Sequence, residues 1–106
     1  MKAERLKKQF APRRVSSHGG IRLFPAADAI ALVRAAAEEG VPILGLDGAS
    51  ATHRETEVPL EHLVDYTRHV ADGHGCWQEA EAFIEERKGN DLLFDVTLGD
   101  DPIEAV

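Results

Sequence analysis

His62, Asp65, His69 and Asp72 fall at positions i, i+3, i+7 and i+10. On a helix they share one face, and neutral imidazoles with carboxylates can bind zinc or another divalent cation. The spacing matches no named metal motif, and the same residues also read as the polar outer face of a helix. Cys76 offers a second chemistry. It opens a helical pattern, helix N-termini lower a thiol pKa, and His74 two residues before it can act as base. The reading preferred for Cys76 is a small residue seated beside Trp77. Together these residues define one functional reading, a small metal-dependent or thiol enzyme using His62, Asp65, His69 or Cys76. No complete catalytic signature accompanies them, so the expectation is a non-enzymatic protein with no cofactor and no resident metal.

The stronger signal is electrostatic. Residues 1 to 22 hold seven of the twelve Lys and Arg and a single acid, Glu4, whereas the remainder holds five bases and eighteen acids. A body this acidic attracts cationic surfaces and repels nucleic acid. The basic stretch can neutralise a few phosphates by itself, but the body lacks the basic stripe and aromatics of a nucleic-acid binder. Asp47, Glu55, Glu57, Glu61 and Asp65 cluster within nineteen residues, and Glu79, Glu81, Glu85 and Glu86 follow in a later helical segment. Such runs often only hydrate a surface. As a docking face they steer a cationic protein and sharpen partner choice. His62, Tyr66 and Trp77 can add anchoring contacts, because aromatic side chains dominate interface energies; on the apolar face of a helix, Trp77 also reads as core.

The elements that must position these residues follow from periodicity. Residues 1 to 20 read as a flexible basic arm, with Leu6 and Phe10 at i,i+4 able to form a short helix if something docks there. Ala26, Ala29, Ile30, Val33 and Ala37 give a helix from about Pro25 to Glu39, with Gly40 as its left-handed cap. Val41 to Leu46 reads as a buried strand, Asp47-Gly48 as a turn or strand end, and Ala49 to Glu57 as a loop or hairpin tip. Residues 58 to 71 read two ways. Leu60, Leu63, Val64, Thr67 and Val70 fit a helical face, whereas His62 to Thr67 fits a short strand; the longer pattern favours helix. Asp72 to Gly75 is a loop, Cys76 to Lys88 a second helix, and Leu92 to Leu98 an alternating strand. Residues 100 to 106 form an acidic tail. The expected fold is a single α+β domain over residues 21 to 99, with two amphipathic helices on one face of a sheet of about three strands.

The run Val41-Pro42-Ile43-Leu44-Gly45-Leu46-Asp47-Gly48, then Leu60-Glu61-His62, Asp65-Tyr66, Trp77, Ala80, Phe83-Ile84 and Leu93-Phe94-Asp95-Val96 resembles small bacterial immunity proteins of toxin–immunity systems. The closing helix and terminal strand are also similar to barstar-like ribonuclease inhibitors. The basic stretch and the Asp47-Gly48 to Glu57 segment have no counterpart in the barstar pattern. The resemblance implies a strand ending near Tyr66-Thr67 that pairs with residues 43 to 47, which would dissolve the single-face metal arrangement. It also implies an inhibitor that plugs a basic active site with acidic side chains.

The functional expectation is a cytoplasmic binding protein that covers a cationic partner such as a toxin. Asp47, Glu55, Glu57, Glu61, His62, Asp65 and Tyr66 are the contact residues. The basic start lacks the apolar run of a signal peptide, and no segment is apolar enough to span a membrane. A third reading is a self-associating module in which the basic arm of one copy binds the acidic body of the next.

Overall fold

The computed structural model describes residues 2–16, 22–50, 63–89 and 92–99. The chain runs α1 (Lys2–Phe10), a 3-10 turn (Ala11–Arg13), β1 (Val15–Ser16), β2 (Arg22–Leu23), α2 (Ala26–Glu39), β3 (Ile43–Ser50), β4 (Leu63–Asp65), α3 (Thr67–Ala71), α4 (Trp77–Arg87) and β5 (Leu92–Leu98). This is the α+β architecture expected. Three antiparallel strands lie in the order β4-β3-β5. α2 and α4 pack against each other and reach the sheet through β5 and β3 respectively. No described helix is long and apolar enough to cross a membrane.

The core lies between the sheet and these helices. Phe94, Leu32, Ile43, Leu46 and Ile84 are its largest fully buried side chains. Each contributes roughly 1.5–3 kcal/mol on leaving water, so this cluster is the main stabiliser. α2 is the alanine-rich helix predicted, buried through Ala29, Ile30, Leu32, Val33 and Ala36. Pro25 stands just outside it as the N-cap, and Gly40 ends it in the left-handed region at φ 73°.

Three expectations are corrected. Residues 2–10 are not a loose arm. Ala3, Leu6 and Phe10, at i, i+3 and i+7, form a buried stripe on α1 that docks on α2. The docking partner that Leu6 and Phe10 required is the chain's own α2, and that apolar gain outweighs the solvation of the surrounding lysines. Arg5 meets the Glu39 carboxylate at 2.6 Å, and Lys2 reaches the Glu39 carbonyl and carboxylate. Second, Asp47-Gly48 is not a turn. β3 continues through it to Ser50, where Gly48 pairs with Phe94 and Ala49 with Leu93. Third, residues 63–71 are not one helix. Leu63 to Asp65 pairs with Asp47 to Gly45, and only Thr67 to Ala71 is helical. Strand pairing beats the helical period here because Leu63 and Val64 face opposite sides, with Leu63 exposed and Val64 packed on the core. Residues 51–62 and 100–106, with the expected loop and the acidic tail, lie outside the described residues.

Candidate functional site

Strand alternation decides what the sheet shows to solvent. On β5, Phe94, Val96 and Leu98 are buried, whereas Asp95 and Thr97 are exposed; Leu93, on the same side as these two, is buried. The register carries that division across the sheet. Asp65, Gly45 and Thr97 make one row on the face turned from the helices; Leu63, Asp47 and Asp95 make the next. Each of the three strands therefore gives one aspartate to this face, and none of them contains a Lys or Arg. Leu63 supplies an apolar contact, 44% exposed.

The face has relief. A shallow groove of about 280 Å³ runs over Gly45, between Asp47, Leu63, Asp65 and Thr97. Gly45 is its floor. A Cβ there would sit 2.8 Å from the Val64 carbonyl oxygen, so only glycine lets β4 approach β3 this closely. The carboxylates differ in state. Asp65 accepts hydrogen bonds from the Thr67 N–H (2.9 Å) and hydroxyl (2.7 Å), which hold its pKa below the usual carboxylate range and fix its orientation. Asp47 is pushed the other way, first by partial burial and then by the charge of Asp95 directly across the β3–β5 pair. Like charges placed opposite each other are destabilising, and no described cation relieves them.

The acids of the helices are treated differently. Glu81 pairs with Arg34, Glu39 with Arg5 and Lys2, Asp28 with Arg13, Glu85 with Lys88 and Glu86 with Arg87. The glutamates of α4, expected as part of a broad acidic surface, are thus mostly neutralised locally.

Of the expected contact residues, the structure brings Asp47 and Asp65 onto one face. It does not bring Tyr66 there. Tyr66 follows Asp65 on the opposite side, donates its N–H to the Leu44 carbonyl at 2.7 Å, and buries its ring in the core. Burial pushes its phenol pKa up to about 12. Glu55, Glu57, Glu61 and His62 lie outside the described residues. Asp95 belongs to the face and was not among the expected residues. Its alternation with Phe94 and Val96 marks it as outward, but its position opposite Asp47 depends on a register that periodicity does not give.

The candidate chemistries are also placed. Asp65 is on a strand while His69 is on α3, so the one-helix metal face dissolves. Among the described residues no three His, Cys, Asp or Glu side chains converge so as to hold a metal ion. Cys76 caps α4 in the left-handed region at φ 63°, as a buried residue whose thiol lies 3.8 Å from the His74 carbonyl. Burial, then the charge of Glu79, pushes its pKa up, opposite to what an activated nucleophile requires. Trp77 is a structural anchor. Its indole N–H donates to the Val41 carbonyl at 2.7 Å, and its ring lies over Gly75, where any Cβ would collide.

Comparison with protein-family models, curated proteins and solved structures gives no match to this chain.

Proposed function

We propose that this protein is a non-enzymatic binding module whose outer sheet face receives a cationic protein. In the finer form of the proposal it is an immunity-type inhibitor that covers a basic toxin surface. The observation that supports this most is the Asp47–Asp95 pair. Two carboxylates oppose each other at the centre of the sheet without a described cation, in a molecule that neutralises most of its helical acids. A feature that costs stability and has no internal compensation is a mark of a surface shaped for something outside the chain. Ionised, oriented Asp65 and exposed Leu63 add a fixed acceptor and an apolar contact beside it.

The other readings have less behind them. A thiol mechanism starts from a sulfur held in its protonated form. The basic residues of the N-terminal stretch are partly engaged with Glu39 and Asp28, which leaves fewer for a nucleic acid or for a neighbouring copy.

Host lysate passed over the immobilised protein and over a D47N/D65N/D95N variant tests the proposal. A basic protein should be retained by the first and lost from the second. Its association rate with the wild type should fall at least ~10-fold between ~20 and ~300 mM salt, as screening shortens the reach of the face. Equal retention by both baits, or a rate indifferent to salt, sinks the proposal. Inhibition is read separately, as loss of the retained protein's toxicity on co-expression.

A further inference from the structure

A second concavity shares no lining residue with the sheet groove. Tyr66, His69, His74, Cys76 and Glu79 enclose about 230 Å³, room for about seven waters and so for one molecule the size of a free amino acid. The groups around it were placed there by three segments: the end of β4, the α3 loop and the start of α4. The loop is closed by backbone bonds, His74 N–H to the His69 carbonyl at 2.9 Å and Gly73 N–H to that of Val70 at 3.0 Å. These bonds hold the His69 and His74 rings edge to face, 6.5 Å between centroids.

One group in the cleft has no explanation inside the protein. Tyr66 is only 7% exposed, yet its hydroxyl makes no hydrogen bond among the described residues. Burial acts on it first, then Cys76 and Glu79 ahead of Arg87 and Glu86; the first two of these residues line the cleft with Tyr66, so the phenol end lies on that side. Buried hydroxyls are nearly always partnered, so an orphan one requires a reason. With its pKa pushed up to about 12, it stays a neutral O–H donor throughout the physiological range. Further donors stand beside it. The first-turn N–H groups of α4, an eleven-residue helix, begin at this cleft, and the N-cap Cys76 makes no side-chain bond to them. Imidazole N–H groups complete the set. A carboxylate satisfies such donors. A simple anion, however, would meet Glu79 on the same wall. Glu79 has no described cation and suits an ammonium group.

We propose that this cleft binds a small zwitterion of amino-acid type, its carboxylate on the Tyr66 hydroxyl and the α4 N-terminus, its ammonium on Glu79. Binding is independent of the acidic sheet face and leaves Asp47, Asp65 and Asp95 free. For a ligand with so few atoms the dissociation constant is on the order of millimolar.

Amide NMR titration of the full chain with alanine, acetate and methylammonium, each separately, tests this. Alanine should shift the amides of His74, Trp77, Gln78 and Glu79 saturably, and at least ~10-fold more tightly than acetate or methylammonium, since each of these satisfies only half the site. Y66F keeps the ring in the core and should weaken alanine ~10–100-fold, as expected for one lost hydrogen bond to a charged group; an unchanged spectrum elsewhere shows that the variant is folded. E79Q should weaken alanine while leaving acetate unchanged or tighter. The absence of saturable shifts with every probe, undiminished alanine binding by Y66F, or acetate equal to alanine overturns the proposal.

Discussion

The helical layer and the outer face of the sheet handle negative charge in opposite ways. On the helices, Asp28, Glu39, Glu81, Glu85 and Glu86 each meet a cation. On the sheet, Asp47 and Asp95 face each other with no described cation, and among the described residues Asp65 is satisfied by Thr67 alone. The same side-chain chemistry therefore sits in two settings. In the first region it closes the molecule on itself. In the second it leaves a field directed outward. The net charge of −7 alone does not distinguish these regions; their arrangement does.

The sharpest way to break the comparison is to remove the helical layer's least expected member. Phe10→Ala empties a site only 4% exposed between α1 and α2. The loss should be about 3 kcal/mol in chemical denaturation, the usual cost of an aromatic truncated in a core. A loss under ~0.5 kcal/mol, the scale of a surface change, would return residues 2–10 to a tail. The next effect belongs to the sheet. Gly45→Ala forces a Cβ against the Val64 carbonyl and should separate β4 from β3 at a cost of roughly 1–3 kcal/mol. Amide shifts should concentrate at Leu63, Val64 and Asp65. An unshifted β4 would mean that the groove floor does not depend on glycine.

How far the sequence disclosed this division varies by element. α2, α4 and β5 were legible because each runs long enough for its period to repeat, and their boundaries fall within one or two residues of those expected. α1 is hidden in the sequence for a physical reason. Its composition is that of a solvated tail, and Ala3, Leu6 and Phe10 acquire meaning only when the apolar stripe finds α2. Residues 63–71 were ambiguous because three strand residues and five helical ones cannot each establish a period. At the site, Asp47 and Asp65 are legible as members of an acidic cluster. Tyr66 is not legible as core because a helical period hides the one-residue alternation that sends it inward and Asp65 outward. Asp95 depended on register, which is a property of two strands together.

Alkaline pH sharpens the contrast between Tyr66 inside and Asp65 outside. The folded protein holds the Tyr66 proton up to about 12, whereas an unfolded chain releases it near 10. The folded state therefore binds more protons in that window, and stability contributed by the neutral phenol is present below pH ~10 and lost as pH rises toward ~12. The decline should be on the order of 1 kcal/mol, allowing for partial solvent access, and Y66F should remove it. Asp65 runs the other way. Its lowered pKa stabilises the fold above the ordinary carboxylate range, and that contribution disappears on acidification. Thr67→Ala should raise the Asp65 titration midpoint, followed by its carboxyl carbon shift.

The smallest effect discriminates most directly between the two regions. Asp47 has a raised pKa, so its protonated form is the one that folding favours, and the penalty for its charge is fully in force at neutral pH. Asp47→Asn removes that charge while keeping the side chain's size. It should stabilise the protein by roughly 0.2–1 kcal/mol, the scale of a cross-strand pair. The gain should shrink in salt and vanish below the carboxylate range, where the wild-type residue is itself neutral. Glu81→Gln, its counterpart on α4, should do the reverse and cost from nothing to about 1 kcal/mol, because it breaks the contact with Arg34. Opposite signs from two neutralised carboxylates would mean that charge on the sheet face is retained against the interest of the fold. Equal signs would place both regions under one rule and remove the main reason for assigning the sheet face to a partner.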